Sequence, residues 1–280
     1  MSKQYKPTTA SRRHMEGYDF SNLSKIEPLK SKTHGFRRAN GRGNTGLITV
    51  RHKGGGVKRL YREIDFRQDK KNIPGKIFSL EYDPNRTARI ARVHYADGDK
   101  RYVLAPENLK VGDTIISADR TALKPGNRAK LRHIPQGTEV YNIEIFPGQP
   151  GSLVRSAGSK AVVMSKDAGY VQVQLPSSEL RKFSENAMAS IGRLSNLEHS
   201  SITMGKAGRS RHKGIRPAVR GSAMNPVDHP HGGGEGAQPI GLTHPKTPWG
   251  KHALGVKTRG NKKRSWNFIV RWRKKCYRAC

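Results

Sequence analysis

Positive charge is spread unevenly along this chain of 280 residues, and that unevenness limits its folding options more than any other feature. Residues 1–62 hold 15 Lys and Arg against 3 acids, and residues 200–280 hold 18 against 2, whereas residues 63–199 hold 21 against 16. A nearly balanced centre is therefore flanked by two strongly basic arms. At a formal net charge of +33 the chain repels itself and becomes compact mainly where a polyanion neutralises it. Nucleic acid is the first candidate partner and an anionic membrane surface the second. No apolar stretch approaches the length of a membrane span, and MSKQYKPTTASRRH lacks the apolar core of a secretion signal, so the expectation is a protein with no membrane partner that works where it is made.

The balanced centre carries the signature of an all-β body. Short apolar runs rich in β-branched and aromatic residues recur: IFSLEY (77–82), RIARVHY (89–95), KRYVL (100–104) and TIIS (114–117). After a break at LKPGNRAKLRHIP (123–135) come TEVYNIEI (138–145), AVVMS (161–165), GYVQVQL (169–175) and ELRKF (179–183). Turn chemistry separates them, as in Asp-Pro-Asn at 83–85 and Lys-Pro-Gly-Asn at 124–127. Many short strands with Gly and Pro turns favour small barrels over a parallel sheet layered with helices, and the break divides them into two sets.

The arms have a different character. Residues 200–280 carry 12 glycines and 6 prolines without sustained periodicity, a composition that stays disordered alone in water. Yet Trp249, Trp266, Phe268, Trp272 and Tyr277 are spread among its Arg and Lys, as stacking on bases and pairing with phosphates require. A merely floppy basic tail is the rival reading. Cys276 and Cys280 are too few for a disulfide framework and fit two ordinary thiols in a reducing compartment.

Glycine-rich stretches invite nucleotide-site readings that their context rejects. GRGNTG (41–46) matches G-x-G-x-x-G and has Asp65 downstream, but no strand precedes it and LITV is a poor helix start. RHKGGGVKR (51–59) lacks the G-K-[ST] ending of a P-loop. What remains is glycine among cations, here Arg42, Arg51, Lys53, Lys58 and Arg59, which suits close approach to phosphate.

The stretch MNPVDHPHGGGEG (224–236) raises the sharper question. His229 and His231 form an H-x-H pair that could ligate zinc, with Asp228 or Glu235 as a third ligand or base. Those two acids are the only ones in the last 81 residues, so supporting carboxylates are scarce, and Pro226 and Pro230 exclude a helical metal site. The alternative has Gly232, Gly233 and Gly234 permitting tight approach to RNA while the imidazoles donate to phosphate or base edges, with Asn225 and Asp228 among the expected RNA-binding residues of the same stretch.

GSAMNPVDHPHGGGEG resembles the signature of the universal large-subunit ribosomal protein family conventionally numbered two. The similarity runs through RHKGGGVKRLYREIDF, LEYDPNRTARIA, YVLAPENLKVGD, KPGNRAKLRHIPQGTEVYNIE, LVRSAGS, ELRKF, GKAGRSRHKGIRPAVRG and TPWG, and it is to the bacterial or organellar type. It departs at residues 14–40 and in RWRKKCYRAC. The resemblance implies a mainly β fold: an OB-fold barrel (61–122), then an SH3-like barrel (123–199), between long irregular basic extensions (1–60 and 200–280). It implies a structural, non-enzymatic constituent of the large ribosomal subunit that binds large-subunit (23S-type) rRNA and meets other ribosomal proteins. Roles in assembly, in association with the small subunit through an intersubunit bridge, in tRNA binding and in the peptidyl-transferase region come with it. Its motifs add rRNA contacts at His52, Arg155, Lys206, Arg209, Arg211, His212, Lys213, Arg216, Arg220 and Trp249 to those already named. No resident cofactor is implied, although Mg²⁺ shared with the rRNA stays open, as does direct catalysis by His229 as a minority alternative. The implied location is the cytoplasmic ribosome, or that of an organellar matrix or stroma. A DNA-compacting protein, suggested by charge alone, is the remaining rival.

Overall fold

The computed structural model describes residues 3–260 and 263–273, so Cys276, Tyr277 and Cys280 lie outside the described residues. It contains two compact units: one formed by 1–37, 58–206 and 267–280, the other by 38–57 and 207–266.

In the first unit, two short antiparallel pairs precede the main sheets. β1 (Lys3–Gln4) pairs with β2 (Glu16–Gly17) around α1 (Ala10–Arg13), and β3 (Thr33–Gly35) pairs with β4 (Leu60–Arg62). β5 (Gly75–Glu81), β6 (Ile90–Tyr95), β7 (Lys100–Leu104) and β8 (Thr114–Ile115) then form an antiparallel sheet in the order β7-β6-β5-β8. One face of this sheet buries Ile77, Ala91, Val93 and Val103 with Leu109 and Ile115, as the alternation in β5 requires.

The second sheet has seven strands. β9 (Arg128–Lys130), β10 (Glu139–Tyr141), β11 (Ala161–Asp167), β12 (Tyr170–Gln174), β13 (Leu180–Ser184), β14 (Met188–Ile191) and β15 (Ile269–Arg271) lie in the order β15-β13-β12-β11-β10-β14-β9. Its core gathers Leu131, Ile134, Val140, Ile143, Val163, Val171, Val173 and Phe183. A third cluster of Ala88, Leu104, Tyr141 and Leu194 joins residues from both sheets. The architecture is mainly β, consistent with an OB-fold barrel followed by an SH3-like barrel.

All eight runs expected from the sequence contain strands, and three further strands belong to the second sheet. β9 lies inside the break at 123–135 because Arg128, buried and ion-paired to Glu144 at 2.9 Å, hides the apolar pattern of a strand. β14 is buried at every position, so it shows no alternation. β15 interrupts the expected irregular C-terminal arm: Leu180 faces Arg271 and Arg181 faces Ile269, which extends the sheet past β13.

The near-neutral charge of the body is spent on internal pairs. Arg101 binds Asp65 at 2.7 Å and Asp99 at 2.8 Å and also pairs with Asp69, while Lys70 meets Asp97 and Asp99. Arg92 and Glu81 pair at 2.7 Å beneath the sheet surface.

The second unit is built otherwise. Among the described residues its one α-helix is α2 (Ala207–His212), with short 3-10 turns besides, and its pairing consists of isolated bridges such as Arg42 with Ile48, Lys53 with Ile215 and Lys246 with His252. Among the described residues, every buried hydrophobic side chain belongs to the first unit, between Ile77 and Leu194. In the second unit Val227 is 91% exposed and Leu254 83% exposed. No helix among the described residues is long and apolar enough to cross a membrane.

Candidate nucleic-acid interface

The two glycine-rich segments of the arms meet in the second unit through their backbones. Gly54 N–H donates to the Gly214 oxygen at 3.0 Å, Val57 N–H to the His212 oxygen at 2.9 Å, and Arg216 N–H to the His52 oxygen at 3.0 Å. Arg38, which sequence reasoning left out, closes this ladder by donating Nη2 to the carbonyls of Gly56 (3.0 Å) and Val57 (2.8 Å). His52 Nδ1 lies 3.0 Å from the Pro217 oxygen and must carry the proton, since a carbonyl only accepts. The glycines thus permit an approach to the chain's own backbone. A Cβ at Gly56 would stand 2.7 Å from the Gly214 nitrogen, whereas Gly55, at φ +63°, faces open space. The ladder holds Arg51, Lys53, His212, Lys213 and Arg216 on adjoining strips of backbone.

GRGNTG folds as a tight loop and no helix follows it. Gly43 N–H donates to the Leu47 oxygen, and Arg42 caps the loop by donating Nη1 to the Gly46 oxygen at 2.9 Å. A second turn, bridged between Lys246 and His252, carries Trp249 at its tip, 76% exposed. The Arg51 guanidinium sits 5.9 Å from the centre of that indole, so the ring offers a cation-flanked surface for stacking.

The histidine loop is self-bonded throughout. Asn225 O accepts from Asp228 N–H (3.0 Å) and His229 N–H (3.2 Å), and Gly233 N–H donates to the Met224 oxygen (3.1 Å). Gly232 is required by this closure, because a Cβ there would stand 2.3 Å from the Asn225 oxygen. His231 N–H donates to His229 Nδ1 at 3.0 Å, and Lys246 N–H donates to His231 Nε2 at 2.8 Å. A backbone N–H can only donate, so both accepting nitrogens are unprotonated and each neutral ring keeps one N–H to offer. His229 is only 7% exposed, its ring packed on Gly221. Burial, then His231 and Arg51, holds its pKa below the ordinary imidazole value. Asp228, Gly234 and Glu235 are exposed, and Arg220 reaches toward the Gly236 oxygen. No group of three or more His, Cys, Asp or Glu suited to a metal ion occurs among the described residues.

The other expected contact residues belong to the first unit. Lys58 and Lys206 are exposed, and Arg59 donates to the Pro84 oxygen at 2.7 Å. The Arg155 guanidinium lies 4.4 Å from the centre of the Phe66 ring, and that of Arg86 lies 5.5 Å from it. The second unit brings together Arg42, Arg51, His52, Lys53, Arg209, Arg211, His212, Lys213, Arg216, Arg220 and the histidine loop. It holds 16 Lys and Arg against the acids Asp228 and Glu235, so most of its cations have no carboxylate within the unit to pair with.

Comparison with known families agrees with this geometry. Residues 29–117 match the family described as Ribosomal Proteins L2, RNA binding N-terminal domain, and residues 124–250 match Ribosomal Proteins L2, C-terminal domain. The first match spans β3 to β8, and the second runs from β9 through the histidine loop to Trp249. A basic, β-built chain carrying both domains in this order belongs to the ribosomal protein L2 family, whose members are RNA-binding structural proteins of the large ribosomal subunit.

Proposed function

We propose that the two units divide the work of holding large-subunit rRNA. The first folds around its own apolar cores and meets RNA as a preformed body. The second, lacking a core and short of acids, takes its final order from phosphates packed around it. Its exposed apolar residues and its excess of basic ones together carry this reading, since water disfavours the first and the second repel one another without a polyanion. From that position the chain supports subunit assembly, association with the small subunit, tRNA binding and the architecture of the peptidyl-transferase region. It works in the ribosome beside other ribosomal proteins, of bacterial or organellar type.

In this proposal His229 is architectural. A general base needs a free lone pair, and the lone pairs of His229 Nδ1 and His231 Nε2 are both engaged by backbone donors. The remaining ring N–H groups can donate to phosphate or base edges. The His229→Ala substitution tests this when particle assembly is scored separately from single-turnover peptide transfer in fully assembled particles. The expected result is poorer incorporation with an unchanged chemical step. A large chemical loss in complete particles would return the histidine to catalysis.

A further inference from the structure

The outer face of the four-stranded sheet is only half covered. Residues 24–29 cross one end of it: Ser24 N–H donates to the Leu80 oxygen (2.8 Å), Leu29 N–H to Tyr102 Oη (2.8 Å), and Arg92 Nη2 to the Glu27 oxygen (2.5 Å). Beneath this strap lies a closed polar cluster in which Tyr102 and Arg92 both bind Glu81. At the other end the register places Lys76 of β5, His94 of β6 and Lys100 of β7 side by side in one row. Residues opposite one another across strands share a face, so all three rise from the uncovered side.

Phe78 completes the group. The register of β5 shifts between Ile77 and Ser79, which makes Phe78 the extra residue of a bulge. Its ring stacks on His94 at 4.4 Å between centroids and 13° between planes, yet the residue stays 45% exposed. Lys76 and Lys100 are exposed and have no ion pair among the described residues. A flat aromatic surface backed by a second ring, with an unneutralised ammonium on each side in the row, matches the chemistry of an unpaired nucleobase with its flanking phosphates.

We infer that Phe78, supported by His94 and flanked by Lys76 and Lys100, is a stacking platform for one unpaired base of RNA. This inference rests on the RNA-binding reading and adds a subsite to it. The full chain is titrated with a large-subunit rRNA transcript and with a short oligouridylate at several salt concentrations. Phe78→Ala should weaken oligouridylate binding about tenfold. Phe78→Leu should lose nearly as much, and Phe78→Trp should retain wild-type affinity, because a ring and not mere apolar area is needed. Lys76→Gln with Lys100→Gln should reduce the slope of log affinity against log salt by about 1.4, the single-strand value for two phosphates. Thermal unfolding of each variant checks that the exposed substitution leaves the barrel intact. Unchanged oligouridylate affinity in folded Phe78→Ala, with wild-type binding to the transcript intact, overturns the platform alone and points to a protein neighbour for this face. Wild-type binding no tighter to the transcript than to duplex DNA at matched salt overturns the RNA reading beneath it.

Discussion

Arg128 has no exposed surface, and its buried guanidinium is offset by partners at Nη1 and Nη2, while Nε is left without one. Glu144 meets it at 2.9 Å and itself accepts from Gly148 N–H (3.1 Å) and Met188 N–H (3.2 Å), while Arg128 Nη1 donates to the Asn142 oxygen at 2.9 Å. Arg128→Met leaves that carboxylate buried without its cation and should cost about 3–5 kcal/mol in urea unfolding. Adding Glu144→Gln, which removes the charge but keeps a carbonyl oxygen for those two N–H groups, should recover much of the loss, and a double variant no more stable than the single one would refute this account. Asp99 shows the opposite regime at the surface. Hydrogen bonds from Arg101, then Lys70, pull its carboxyl from 3.8 to about 2. A depressed folded-state value adds stability above the unfolded pKa and loses it as pH falls toward the folded one. Asp99→Asn should therefore cost under about 1 kcal/mol at neutral pH, the pair being solvent-screened. Stability curves of wild type and variant should converge as pH drops from 3.8 to about 2. A gap that persists undiminished as pH falls to about 2 would mean the carboxylate's charge is not what stabilises.

Among the elements, those with period-two alternation were legible in the sequence and those without it were not. VQVQ announces β12 because its valines are buried while its glutamines are partly exposed. Arg128 gives no such sign, since its burial depends on Glu144, sixteen residues away. The same limit applies to the interface. The cations and glycines around residues 51–59 and 206–220 mark it in the sequence, but the reason for the glycines does not, because the partner of Gly56 is Gly214, far along the chain. Gly56→Ala tests that pairing. Its φ of +87° already disfavours a side chain by about 1–2 kcal/mol, and the new Cβ would strike backbone at 2.7 Å. Protease cleavage within 38–57 and 207–220 should accelerate, while the melting temperature of the barrels stays put. Wild-type cleavage rates in this variant would show that the ladder is dispensable.

For the molecule as a whole, apolar burial and nearly all the carboxylates are confined to the first unit, and stability should follow them. Amide exchange in the isolated chain separates the cases. Amides of β5 to β14 should exchange slowly, at rates set by unfolding of the cores, whereas those of 38–57 and 207–266 should exchange far faster. Their hydrogen bonds lie at the surface with no buried apolar layer beneath them. Addition of large-subunit rRNA at low salt should slow exchange in the second unit selectively. Raising salt from 50 to 200 mM should restore it, because neutralising roughly ten phosphates makes affinity fall by orders of magnitude over that range. The prediction is exposed on both sides. Slow exchange across 207–266 before any RNA is added would mean that backbone bonding alone orders this segment. Fast exchange that persists on saturated RNA would mean that its cations hold phosphate without fixing the chain.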